Sequence, residues 1–284
     1  MAVSSTSTQD DRAGTGNAPA GSPATGSAPA ARPWAPGPSL ATAVKETLRF
    51  TPVLGELALT AARRYRISTF RGSAAFWERH YAAGRNSGPG SFGHLATFKA
   101  EVIAELCQRW SVESVIEWGC GDGNQLAALS VPRYLGLDVS RTAVDRCIRR
   151  FAGDPQKSFL WYDPAAFIDT SGVFTADLAF SLDVIYHLVE DVTFHTYMRR
   201  LFGSARHHVL IYSSDVDGLR QNYPHVRDRR FSAWVAQHEP EWRLDEVIRN
   251  PYPFSGDDVS GSLSDFFCFS RVLAGETADP ASGS

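Results

Sequence analysis

Between Val115 and Asn124 the chain reads Val-Ile-Glu-Trp-Gly-Cys-Gly-Asp-Gly-Asn, a short β-prone run that ends in three alternating glycines. Glycine carries no Cβ, so such a stretch lets the backbone turn sharply at a strand end and come close to a ligand. A helical pattern begins at Gln125, and its N-terminus is expected to add amide donors and positive potential. A strand that passes through a glycine turn into a helix is the opening unit of a parallel α/β sheet. No other segment of the chain narrows the fold as far.

The flanking sequence repeats this alternation. Residues 98–110 carry Phe98, Val102, Ile103 and Leu106 on one face of a helix. Residues 114–118 and 133–137 read as strands, 140–151 as a helix, and 158–162, 178–182 and 208–212 as further strands with helices between them. Residues 244–248 and 265–271 are strand-like and joined by a short link, which suits an antiparallel hairpin at the sheet edge. No internal repeat interrupts the pattern.

The two ends differ from this middle. Ala, Gly, Pro, Ser and Thr supply 29 of the first 38 residues, too little apolar surface to offset ordering, so 1–38 is expected to be a disordered tail. Residues 39–70 carry spaced apolar positions such as Val44, Leu48, Leu54 and Leu57, then Arg63, Arg64 and Arg66. They predict a helical extension packed on the domain, with a membrane-surface helix as the other reading. Residues 71–273 form the predicted catalytic domain and 274–284 a second loose tail.

Composition excludes several classes. The net charge is −3, without the basic excess of a nucleic-acid binder, so no nucleic-acid partner is expected. No apolar run is long enough for a spanning helix, and the start lacks a signal-peptide pattern, so no integral membrane contact is expected. Cys107, Cys120, Cys147 and Cys268 form no C-x-x-C pair, which reads as reduced thiols in a cytoplasmic protein without a metal site.

The charges around the glycine turn discriminate between ligands. A dinucleotide site uses G-x-G-x-x-G to cradle a pyrophosphate. Here the third glycine, Gly123, comes one position early and Asn124 stands in its place. Glu117 and Asp122 add two carboxylates, which would repel a diphosphate and suit a cationic group such as the ammonium of S-adenosyl-L-methionine. Asp138 ends the next strand, where a carboxylate can accept both hydroxyls of a ribose.

These residues together resemble the class I S-adenosylmethionine-dependent methyltransferase superfamily, over about residues 76–271. The resemblance implies a Rossmann-like α/β fold: a seven-stranded, mostly parallel sheet with an antiparallel last strand, between two layers of helices. It implies that Glu117, Gly119 and Gly121 lie against the methionine part of the cofactor and Asp138 against the ribose, with Cys120, Asn124 and Val139 also among the cofactor-binding residues. Asp163 is placed either at the adenine amine or as a cap before Pro164. Ser181 and Leu182, at the end of the fourth strand, line the junction between cofactor and acceptor. Residues 76–81 match the helix that many members place ahead of the cofactor, and 84–93 suit a lid over its carboxylate.

Methyl transfer needs alignment, exclusion of water and, for a hydroxyl acceptor, removal of a proton. Asp183 and His187 are four apart, so on a helical turn they would share a face, with His187 as base and Asp183 orienting it. His225 is a second candidate base. Arg227, Arg229 and Arg230 offer a clamp for an anionic acceptor. Asn250-Pro251-Tyr252-Pro253 is not the motif of enzymes that methylate nucleic-acid amines, which would follow the fourth strand. The expected partner is a small or medium acceptor, with an oxygen of a sugar or specialised metabolite first. An NAD-dependent oxidoreductase and a non-catalytic cofactor-binding module are the rivals.

Overall fold

The computed structural model describes residues 70–218, 223–256 and 259–272. The expected tails at 1–38 and 274–284, and all but the last residue of the 39–70 extension, lie outside the described residues.

Seven strands form one sheet in the order β3-β2-β1-β4-β5-β7-β6. They are β1 (Ser114–Trp118), β2 (Arg133–Asp138), β3 (Lys157–Trp161), β4 (Ala176–Leu182), β5 (Ala205–Ser213), β6 (Trp242–Ile248) and β7 (Asp265–Arg271). β1 to β5 pair in parallel, while β7 runs antiparallel between β5 and β6. The terminal strand pair thus lies at the sheet edge, with β7 inserted and β6 outermost.

Side chains alternate across the strands because successive Cβ atoms point to opposite faces. In β5, Val209 and Ile211 enter one core while Leu210 and Tyr212 enter the other. In β7, Phe267 and Phe269 join the first core, and Phe266 and Cys268 the second. Both faces are therefore apolar, as a sheet covered on both sides requires. The first face is covered by α4 (Asp191–Gly203) and α5 (Phe231–His238), through residues such as Tyr197, Leu201 and Trp234. The second is covered by α2 (Gly93–Arg109), through Val102, Ile103 and Leu106, and by Cys147 of α3 (Arg141–Arg150). α1 (Ser73–Ala82) precedes α2 and is stitched down at both ends. Glu190 accepts from the Ser73 amide and hydroxyl at 2.8 and 2.7 Å, and Glu78 accepts from the Ser140 and Thr142 hydroxyls at 2.7 and 2.6 Å. Among the described residues, no helix is long and apolar enough to cross a membrane.

One expected element is missing. The helix predicted from Gln125 is only a 3-10 turn, Leu126–Ala128. The link from β1 to β2 spans residues 119–132 and ends at Pro132, which leaves no room for a full helix after the glycine turn. The expected helix N-terminus, with its amide donors, is therefore absent behind the loop.

Phe202 is fully buried and meets Trp242 and Phe269 edge-on, at ring separations of 5.4 Å each. Phe202→Ala is expected to cost about 3–5 kcal/mol of unfolding free energy, measured by denaturant titration; a loss below about 1 kcal/mol would mean that this aromatic cluster does not hold α4 to the sheet.

Candidate functional site

A cavity of about 550 Å³ opens at the carboxyl ends of β1, β2 and β4. Its floor is the glycine turn. Gly119 has φ +86°, and a Cβ there would sit 2.5 Å from Val184 Cγ2; at Gly121, φ +55°, it would sit 2.8 Å from the Tyr81 hydroxyl. Only glycine fits at either point.

The turn's amides bond within the protein. Gly119 and Cys120 donate to the Leu137 carbonyl at 2.7 and 3.1 Å, Gly123 donates to Cys120 at 3.3 Å, and Gly121 donates to Asp138 Oδ2 at 2.9 Å. The Asn124 amide goes to Asp122 at 3.2 Å.

Two buried carboxyl groups line the cavity from neighbouring strands. Asp138 also accepts the Ser140 amide, at 2.8 Å. Burial raises its carboxyl to about 6 in spite of these amide bonds. Glu117 lies on the face of β1 that α2 covers and accepts from the Tyr134 hydroxyl. Burial pushes it up to about 8, against the opposing pull of Tyr134 and the Lys99 ammonium.

Lys99 is the residue that motif reading missed. It sits in the apolar stripe of α2, between Leu95 and Val102, and is only 1% exposed. A lysine in a core-facing stripe is expensive to bury without a partner, and that position was the signal available in the sequence. Its ammonium donates to Asp183 Oδ2 at 2.7 Å and lies 5.1 Å from the centre of the Tyr212 ring. Tyr81 and Gln125 also line the cavity without having stood out in the sequence.

The structure brings most predicted residues to this one cavity: Glu117, Gly119, Cys120 and Gly121, then Asp138, Val139 and Leu182, and also Asp183, His187 and His225. Three others face elsewhere. Asn124 donates to the Ser91 carbonyl at 2.6 Å and so holds the loop above the cavity. Ser181 is buried against the Tyr197 hydroxyl at 2.6 Å. Asp163 is exposed and accepts the Ala165 amide at 2.9 Å within a turn, with no helix there for it to cap.

Asp122, which counted toward the loop's negative charge, instead accepts from the Ser87 hydroxyl at 2.9 Å. With Asn124 it pins the 84–93 segment, which supplies Asn86 to Ser91 as one wall of the cavity.

Asp183 and His187 do not share a helical face. Asp183 has φ +58°, and only a 3-10 turn, Ile185–His187, follows. Its carboxylate accepts from Lys99, from the Tyr186 hydroxyl at 3.0 Å and from the Ser264 hydroxyl at 3.2 Å. His187 is oriented by another group, the His225 carbonyl, 3.0 Å from Nδ1. A carbonyl only accepts, so Nδ1 carries the proton and the basic lone pair is on Nε2. His225 stacks on Phe76 with ring centres 4.3 Å apart.

The arginine clamp is overturned as well. Arg229 donates to the Leu188 and Val189 carbonyls at 2.5 and 2.9 Å, and Arg227 and Arg229 both pair with Asp191 at 3.0 Å. With Arg230 they lie outside the cavity lining.

The whole described chain can now be set beside known structures. It is similar to the N-methyltransferase NodS from Bradyrhizobium japonicum WM9 in complex with S-adenosyl-l-homocysteine, with a TM-score of 0.52 and 17% identity over 70% of this chain and 98% of that one. This is the class I methyltransferase fold. The magnesium protoporphyrin IX methyltransferase ChlM from Synechocystis PCC 6803, bound to SAM, is a second similar structure, at a TM-score of 0.47 and 16% identity over 75% of this chain and 96% of that one. No family model matches the chain, and no curated protein does. Within this methyltransferase fold the cavity occupies the crevice beyond the strand ends, where open α/β sheets bind ligands.

Glu117 gives a pH test. Its folded value of about 8 exceeds the usual 4.5, so the folded state keeps a proton that the unfolded chain has lost. The stability this contributes is complete below 4.5 and is lost as pH rises toward 8. Without ligand, the protein is expected to lose up to about 1.4 kcal/mol per pH unit between about 6 and 8. Glu117→Gln should flatten that slope in thermal unfolding, and an unchanged slope would place the titrating group elsewhere.

Proposed function

We propose that the chain is an S-adenosylmethionine-dependent methyltransferase acting on a small or medium acceptor. The observation that carries this reading is the single cavity in which the Gly119 and Gly121 turn, Glu117 and Asp138 converge. The residues fit the cofactor. Each Asp138 oxygen accepts one amide and has a second lone pair for a ribose hydroxyl. The Gln125 Oε1 atom in the cavity lining is buried with no hydrogen-bond partner among the described residues, so the cavity still has a place for a donor. The cofactor, when bound, supplies an electrophilic methyl group on a sulfonium.

The loop amides favour this reading over a nicotinamide dinucleotide. A diphosphate cradle needs amides aimed at the ligand and a helix N-terminus behind them. Here the amides of Gly119, Cys120, Gly121 and Gly123 bond internally, and a short 3-10 turn stands where that helix would begin.

The acceptor end is lined by Trp77, Tyr186, His187, Tyr223 and His225. These rings can hold a largely apolar molecule, and His187, oriented by the His225 carbonyl, is the candidate to take a proton from the acceptor. An oxygen acceptor on a specialised metabolite fits this lining. The arginines no longer give a reason for an anionic one.

Calorimetry with S-adenosylhomocysteine tests the cofactor assignment. The wild type is expected to bind, and Asp138→Ala to weaken binding at least about tenfold, or about 1.4 kcal/mol. Equal affinity in the variant would remove Asp138 from the ribose. For chemistry, His187→Ala is expected to lower the turnover of an acceptor found by screening hydroxylated metabolites by about a hundredfold or more. A variant that keeps the full rate would end the general-base role.

A further inference from the structure

The cofactor reading leaves one charge without a partner. S-adenosylmethionine ends in an amino acid, whose carboxylate must be held in the same buried cavity as Glu117 and Asp138, both acidic. Backbone amides at a strand-to-helix turn would be the usual donors, but in this loop those of Gly119, Cys120, Gly121, Gly123 and Asn124 already bond within the protein. No full helix follows to supply others. A side-chain cation facing the cavity is the complementary partner for that carboxylate.

Among the described residues, two side-chain cations of Lys or Arg line the cavity, Lys99 and Arg200. Arg200 is turned to the segment after β3, donating to the Pro164 and Phe167 carbonyls at 2.9 Å each. Lys99 lines the same cavity as Glu117, and its ammonium lies 3.8 Å from where a Cβ on Gly90 would sit. An ammonium has three N–H donors, and only the one to Asp183 is seen here. On the same wall Gln125 is 7% exposed, its Nε2 donating to the Ala96 carbonyl at 3.0 Å and its Oε1 unpartnered among the described residues. Lys99 and Gln125 thus present a donor and an acceptor in the cavity that Glu117 also lines, the pattern a zwitterion requires.

We infer that Lys99 binds the carboxylate of the cofactor's amino-acid end, while Gln125 Oε1, together with Glu117, receives its ammonium. This rests on the cofactor reading above. Asp183 is the positioning residue: it holds Lys99 at the cavity wall, and Tyr186 and Ser264 hold Asp183.

Decarboxylated S-adenosylmethionine, which keeps the ammonium and lacks only the carboxylate, separates the two contacts. The wild type is expected to bind S-adenosylmethionine at least about tenfold more tightly than the decarboxylated form, and Lys99→Met to bring the two within about twofold. Gln125→Met should weaken both ligands alike and keep the preference. Removing Lys99 alone leaves a carboxylate without its partner, so Lys99→Met/Asp183→Asn, which deletes the pair together, is the second variant, with the same expected loss of preference. A ratio of affinities is insensitive to the fraction of protein folded. A wild type that binds S-adenosylmethionine but shows no preference, or lysine variants that keep it, overturns the inference and leaves the cofactor reading standing. A wild type that binds neither ligand overturns both.

Discussion

The Asp138 carboxylate receives the Gly121 amide from one side and the Ser140 amide from the other. The first bond ties the turn after β1 to the end of β2, and the second fixes the carboxylate within the segment that follows β2. They also consume backbone donors that a glycine turn would otherwise offer to a ligand. The loop is thus shaped by its own hydrogen bonds, and recognition falls to the side chains around it. That division explains why so much charge is buried here: Glu117, Asp138 and Lys99 are all nearly inaccessible, at 3%, 6% and 1% exposure. Buried charge is tolerated where it is paired or neutralised. Lys99 is paired with Asp183, and Glu117 is held neutral by its raised pKa.

The same constraint joins the two ends of the cavity. Asp183 occupies a left-handed backbone conformation that non-glycine residues rarely adopt, and it is held there by Lys99, Tyr186 and Ser264. Through it, α2, the end of β4 and the segment before β7 meet at one carboxylate. The roof is tied down separately, by Asp122 to Ser87 and by Asn124 to Ser91. Residues of the glycine motif therefore serve two tasks: Gly119 and Gly121 line the cavity, and the polar residues between and after them hold the wall.

Much of this was legible in the chain. The strands at Ser114–Trp118 and Asp265–Arg271 agree with their sequence patterns to the residue, because short β-prone apolar runs and the glycine turn define them locally. Asp138 and Glu117 were found for the same reason: each stands at a fixed place relative to a strand end. Lys99 was not, because a lysine in an apolar stripe signals burial but does not say which carboxylate it meets. Asn124, Asp163 and Ser181 were expected at the ligand, yet side-chain direction depends on neighbours distant in the chain. Asp183 and His187 failed as a helical pair because spacing in sequence implies a shared face only where a helix forms.

By itself, the sequence determined the sheet, its parallel order and the place of the glycine turn, since periodicity and conformational freedom are properties of short segments. Tertiary structure decided which polar groups point into the cavity, which are spent on holding its walls, and that a lysine from α2 meets Asp183 there. Those outcomes depend on burial and on partners far apart in the chain, such as Lys99 and Asp183, and no short window of sequence contains both members of such a pair.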